Sequence, residues 1–173
     1  MKGLLRSLAR RPKAERDVVK EKIVLDGKTV TVSATGAAIG FGSVVISDFA
    51  EGNILLLGIG GTVGFAGSGA DANLTDTFSG DFGIGSTAAD DATITAGDVD
   101  ILASTAIGPA TAEVIAAARF VEAHGDVILD NTDGSLEINL NMLIDAANIV
   151  DDESVVITLS GTIELAYTVL SDD

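Results

Sequence analysis

Residues 155–169 read Val-Val-Ile-Thr-Leu-Ser-Gly-Thr-Ile-Glu-Leu-Ala-Tyr-Thr-Val. The odd positions are Val155, Ile157, Leu159, Gly161, Ile163, Leu165, Tyr167 and Val169, and the even positions from Thr158 to Glu164 are polar. Successive side chains of a strand point to opposite faces, so this period of two predicts a long strand with one buried and one wet face, or a strand bent at Gly161. A second alternation sets Leu136, Ile138, Leu140 and Met142 against Glu137, Asn139 and Asn141. A slip of one residue buries Glu137 or Glu164, so the register of both strands is firmly specified.

Earlier in the chain the same reading applies with shorter runs. Residues 23–25 and 29–33 flank Asp26-Gly27, a dipeptide that favours a two-residue hairpin turn, with Val30 and Val32 facing the core. Residues 44–46 and 54–57 are apolar runs separated by Ser47-Asp48-Phe49-Ala50-Glu51-Gly52-Asn53, which predicts two buried strands and a turn. Residues 62–65, 74–82, 92–95 and 99–105 are further strand candidates among small and polar loops. Residues 110–124 stand apart: alanine content, Pro109 ahead and Gly125 behind predict a short helix with Val114, Ala117, Ala118 and Val121 on one face. Runs at spacings of about a dozen residues, without alternating helices, predict an all-β antiparallel sandwich or barrel.

Charge divides the chain. Residues 1–28 hold nine of the ten Lys and Arg against four acids, a net +5, whereas residues 29–173 hold Arg119 alone against 22 acids, a net −21. This predicts a basic N-terminal arm over residues 1–21 and a β-sandwich domain over 22–173. In the arm, Leu4, Leu5 and Leu8 lie among Arg6, Arg10 and Arg11, with Pro12 ending any short amphipathic turn. So acidic a body repels nucleic acid and anionic membrane, while the arm is drawn to acidic surfaces. No secretory signal is expected, because Arg6 interrupts the only large apolar residues ahead of Arg10. The uncharged window 52–70 has the length of a membrane span, but its many glycines favour two strands joined by a bend.

Catalytic and cofactor chemistry finds little to work with. There is no Cys, which excludes disulfides and thiolate metal sites, and one Tyr with no Trp predicts an aliphatic core. The single histidine, His124, has no Gly-x-Ser-x-Gly elbow to serve and is expected at the surface or at a helix end. Gly58, Gly60, Gly61 and Gly64 suggest a dinucleotide loop only superficially, since Val63 occupies the place of the third glycine. Asp130-Asn131-Thr132-Asp133-Gly134 has oxygen ligands suited to calcium, but these are also turn residues. No catalytic residue, metal or cofactor is therefore expected, and the chain is not expected to be an enzyme.

Gly36-Ala37-Ala38-Ile39-Gly40-Phe41-Gly42-Ser43-Val44-Val45-Ile46, then Glu51-Gly52-Asn53-Ile54-Leu55-Leu56-Leu57-Gly58, Phe78-Ser79-Gly80-Asp81-Phe82-Gly83-Ile84-Gly85 and residues 129–140 together resemble small structural proteins of marine tailed bacteriophages. The resemblance covers most of residues 22–173 and implies a jelly-roll β-sandwich. It further implies a capsid decoration, or cement, protein of the virion's outer surface that binds the major capsid protein as a homotrimer. On that reading Leu4, Leu5, Arg6, Leu8, Arg10, Arg11, Lys13 and Arg16 form a capsid-binding arm, and neither nucleic acid nor membrane is a partner. Two rival expectations are a jelly-roll coat protein whose arm points inward to packaged nucleic acid, and a tail protein that contacts host carbohydrate. The small charge of the arm speaks against the first, since affinity grows with phosphates neutralised. The lack of aromatic platforms speaks against the second.

Overall fold

The computed structural model describes residues 18–36, 38–67, 72–75, 77–111 and 116–170, with the side chains of 109–111 and 116–118 excepted. Ten strands make up the described chain: β1 (Val18–Val24), β2 (Thr29–Ser33), β3 (Gly40–Asp48), β4 (Asn53–Gly67), β5 (Thr77–Gly85), β6 (Leu102–Thr111), β7 (Ala116–Ala123), β8 (Ile128–Leu129), β9 (Glu137–Ile144) and β10 (Ser154–Leu170). A single 3₁₀ turn, Ala96–Asp98, lies between β5 and β6. Every pairing is antiparallel, in the order β6-β5-β9-β3-β2-β10-β4-β7, with β1 also on β10 and β8 also on β4.

This order is a jelly roll. The first half of the chain pairs with the second half in reverse: β1 and β2 with β10, β3 with β9, β4 with β7, and β5 with β6. Rolling that long hairpin up gives two four-stranded layers, β3-β9-β5-β6 and β1/β2-β10-β4-β7. The turn 49–52, with Gly52 at φ +117°, carries the chain from β3 in one layer to β4 in the other. The layers join through β2 and β3, which share the pair Ser33 and Phe41, and on the far side β6 comes to lie beside β7.

β10 follows its sequence pattern. Val155, Ile157, Leu159, Ile163, Leu165 and Tyr167 are buried, and Glu164 is exposed. The core between the layers is mainly aliphatic, as expected, but it is spanned by rings. Phe65 of β4 meets Phe82 of β5 at 5.1 Å between centroids, Phe82 meets Phe120 of β7 at 5.8 Å, and Phe49 meets Tyr167 edge-on at 5.2 Å. Each fully buried ring or branched aliphatic side chain contributes about 1.5–3 kcal/mol of apolar burial.

Several expectations are corrected. Asp26-Gly27 does not turn a hairpin, because β1 and β2 run in line along the same edge of β10. Only Gly27 of that dipeptide takes positive φ, and residues 25–28 make a local bulge closed by the Lys28 N–H on the Leu25 carbonyl at 2.8 Å, with Leu25 still buried, after which the chain resumes its direction. Of the stretch 110–124 expected as helix, residues 110–111 end strand β6, 116–123 form strand β7, and 112–115, Val114 among them, lie outside the described residues. β7 hydrogen-bonds along residues 58–65 of β4, and Phe120 is buried while Arg119 and Val121 are exposed, so sheet pairing overrides the alanine propensity. Residues 53–67 are one continuous strand, not two joined by a bend, since β10 and β7 pair with them from either side and none of their glycines takes positive φ. Residues 92–95 lie in the β5–β6 loop, not in a strand. Asn139 and Asn141 do not face water, because that loop packs over the outer side of β9.

β1 begins at Val18, so residues 18–21, assigned above to the arm, belong to the sheet.

Candidate docking face

The two layers differ on their outer sides. The layer containing β9 is covered by the β5–β6 loop. Asn141 holds that loop with three hydrogen bonds: its Oδ1 accepts the Ala89 N–H at 2.9 Å, and its Nδ2 donates to the carbonyls of Thr87 at 2.9 Å and Asp98 at 2.8 Å. The outer side of the layer containing β10 is exposed over much of its described area, although Thr168 on it is buried, and it is built row by row across the strands. One row is Lys22, Glu164, Gly60 and Val121, and the next is Lys20, Ala166, Gly58 and Ala123. On one side of these lies Val24, Thr162, Thr62 and Arg119, and on the other Val18, Thr168, Leu55 and Ile128.

Gly58, Gly60 and Ala166 therefore floor a groove of about 540 Å³, bounded by Lys20 and Lys22 on β1 and by Val121 on β7. Val121 is 83% exposed. Among the described residues, five of the eight exposed large hydrophobics lie on this side: Val18, Val24, Val121, Ile128 and Val156. Three of the four described cations, Lys20, Lys22 and Arg119, lie there too, with Glu164 as the carboxylate in these rows and Glu21 and Glu122 also lining the groove. Sequence reading did not find this face. Lys20 and Arg119 stand about a hundred positions apart, and only the register β1-β10-β4-β7 brings them together.

Gly60 is glycine without steric need. Its backbone is ordinary, and an added Cβ would make only van der Waals contact, 3.5 Å from Val121. At Gly61, one position along and on the core side, a Cβ would collide with the Thr162 carbonyl. The absence of a side chain at Gly60 shapes the groove, while its absence at Gly61 permits the packing.

The other candidate residues resolve as structure. The residues expected to form a capsid-binding arm, Leu4, Leu5, Arg6, Leu8, Arg10, Arg11, Lys13 and Arg16, lie outside the described residues. Gly58, Gly60, Gly61 and Gly64 are in strand β4, not in a phosphate-binding loop. Asp130 accepts from the N–H and hydroxyl of Thr132, and Asp133 from those of Ser135, and these bonds hold both carboxyls below their ordinary pKa. Both are turn residues. Between them Asn131 is fully buried and ties this turn to residues 49–52 through the carbonyls of Phe49 and Ala50. No group of three or more His, Cys, Asp or Glu placed to hold a metal occurs among the described residues. No described helix is long and apolar enough to cross a membrane.

His124 is not a surface residue, contrary to expectation. Its side chain is 8% exposed, and its Nε2 donates to the Ile101 carbonyl at 2.8 Å. Glu122, two residues earlier, accepts the Ala103 N–H at 2.9 Å. Both bonds run from β7 or its end to the start of β6 and bridge the seam where the rolled sheet meets itself.

Fold and face together define an acidic jelly-roll β-sandwich with one cationic and apolar side. No protein-family model matches the chain, and no curated protein matches it. Among solved structures it is similar to a chain in the structure of infectious bursal disease virus Gx strain, with 13% identity over 91% of this chain and 34% of that chain, at a TM-score of 0.43. The chain thus spans about a third of the length of that one.

Proposed function

We propose that this chain is a non-enzymatic structural protein of a virion, a decoration protein that sits as a homotrimer on the outside of a capsid and stabilises the lattice of the major capsid protein. The observation that carries this reading is the division of charge: a basic N-terminal segment joins an acidic jelly roll at Val18. Jelly rolls serve in viral capsids, in lectins and in cupins. A sugar-binding role gains no support from the described side chains. Tyr167 is buried, as are Phe49, Phe65, Phe78, Phe82 and Phe120, and Phe41 is half-buried, leaving no exposed ring to stack on a sugar.

On this reading Leu4, Leu5, Arg6, Leu8, Arg10, Arg11, Lys13 and Arg16 lie across acidic capsid-protein surface. The acidic remainder faces solvent and keeps neighbouring copies soluble. Charge pairs at such a contact fix register and raise the rate of attachment more than they add affinity. The test is co-sedimentation of the purified protein with shells assembled from the major capsid protein of the same virus. The intact protein is expected to pellet with shells and to raise their melting temperature, and removal of residues 1–16 is expected to leave a folded sandwich that no longer binds stably at physiological salt. A truncated protein that decorates as well as the intact one overturns the role of the arm. Release of the protein from particles by nuclease overturns the outward placement.

A further inference from the structure

We infer that the outer face of β1, β10, β4 and β7 is a second capsid-contacting surface, which receives an acidic protein surface bearing an apolar side chain over Gly58 and Gly60. The inference rests on the decoration reading above and specifies which part of the folded body makes contact.

Three observations converge on it. The first is charge: Lys20, Lys22 and Arg119 share the face with Glu164, while Glu21 and Glu122, which also line the groove, are engaged by the Ser47 hydroxyl and the Ala103 N–H, and residues 29–173 as a whole carry 22 acids and one Arg. Among the described residues none of these three cations has a carboxylate within ion-pairing distance, so their charge is available to a partner. The second is shape. A strip of Gly58, Gly60 and Ala166 crosses the middle of the face, and at Gly60 the fold would accept a side chain that the sequence leaves out. Exposed apolar side chains at Val18, Val121 and Ile128 lie around this strip.

The third is continuity. Residues 1–17 join the sheet at Val18, on the edge row of this face, and they carry Lys2, Arg6, Arg10, Arg11, Lys13 and Arg16. The basic segment and the cationic sheet face thus meet at one point of the molecule. Two linked contacts bind far more tightly than either alone, because the second forms at high effective concentration. An acidic protein surface satisfies the cations, and an apolar side chain on it fills the strip that water otherwise occupies.

The experiment uses the full chain in two variants, Gly60→Leu, which fills the groove, and Lys20→Glu/Lys22→Glu/Arg119→Glu, which reverses its charge. Circular dichroism and thermal unfolding establish that each is folded. Affinity for shells of the major capsid protein is then measured with the arm intact, and mass by light scattering. Each variant is expected to weaken binding by about tenfold or more at low salt, the charge reversal losing its effect as salt rises. Unchanged affinity in both variants, beside a wild type that binds, overturns the face and leaves the decoration reading standing. A wild type that binds no shells overturns that reading and the face with it. Variants that fall apart into smaller species while still binding shells overturn the capsid contact and assign the face to contact between copies of this chain. Binding of the wild type to naked nucleic acid, lost in the charge-reversed variant, likewise overturns an acidic protein as the occupant.

Discussion

The carboxylate of Asp26 accepts the backbone N–H of Gly161 at 3.0 Å, and the N–H of Leu25 donates to the carbonyl of the same glycine at 3.0 Å. The bulge between β1 and β2 is therefore fastened to the one residue of β10 whose φ, +103°, is left-handed. β10 keeps its register with β4 through this residue, Gly161 facing Val63, so the ladder holds the glycine at that φ. Asp26→Ala is expected to cost about 1 kcal/mol, since the bond is charge-assisted but exposed. Gly161→Ala is expected to cost about 3 kcal/mol or more, because alanine is strained at that φ and its Cβ would strike the Thr62 carbonyl. Urea unfolding of the two variants measures both, and equal costs would contradict a need for glycine at that φ.

Two adjacent glycines of β4 make a sharper comparison. Gly61→Ala is expected to destabilise by about 2–3 kcal/mol, since the Thr162 backbone cannot move aside without breaking the β4–β10 ladder. Gly60→Ala is expected to change stability by no more than about 0.5 kcal/mol, or to raise it, because alanine restricts the unfolded chain. Thermal unfolding of the pair tests whether the groove is a requirement of folding or a feature of the surface.

Asn141→Ala leaves the Ala89 N–H and the Thr87 and Asp98 carbonyls without their partner in a buried place. A global loss of about 3 kcal/mol is expected. Amide exchange across residues 86–100 is expected to quicken more than exchange in β4 or β10, because the loop loses its anchor while the central strands keep theirs. Uniform loss of protection would contradict the anchoring role.

Acid is expected to loosen the turn at residues 130–135. The carboxyls of Asp130 and Asp133 are held below the ordinary value of 3.8 by hydrogen bonds from Thr132 and Ser135. A depressed folded-state pKa means that the unfolded chain takes up protons first. The stabilisation is complete above 3.8 and is lost as pH falls through the lower folded values. The double variant Asp130→Asn/Asp133→Asn, which cannot titrate there, is expected to show a shallower loss of stability in acid than the wild type. Parallel pH profiles would contradict this.

Legibility in the sequence followed the range of the interaction. β10 was readable because alternation is local, and every odd residue from Val155 to Tyr167 except Gly161 is buried. The all-β class followed from the same local patterns. Asn141 was misjudged because polar alternation implies a wet face, and nothing nearby in sequence announces a loop arriving from residues 87–98 to cover it. Asp26-Gly27 encodes a turn, yet whether strands pair across a turn or continue past it depends on β10, about 135 residues away. Alanines in β7 favour helix in isolation and are held extended by β4. Of the proposed contact surface, the basic segment is visible as composition. The face beside it is not, because its cations come from β1 and β7 and meet only through the register of β10 and β4.

A three-dimensional reconstruction of intact particles tests the proposed role most directly. The expected result is this chain as density outside a closed lattice of the major capsid protein, with Lys20, Lys22, Arg119 and the Gly58–Gly60 strip turned toward the lattice. Density forming the closed shell itself, density on its inner side, or an outer copy with that face turned to solvent would contradict it.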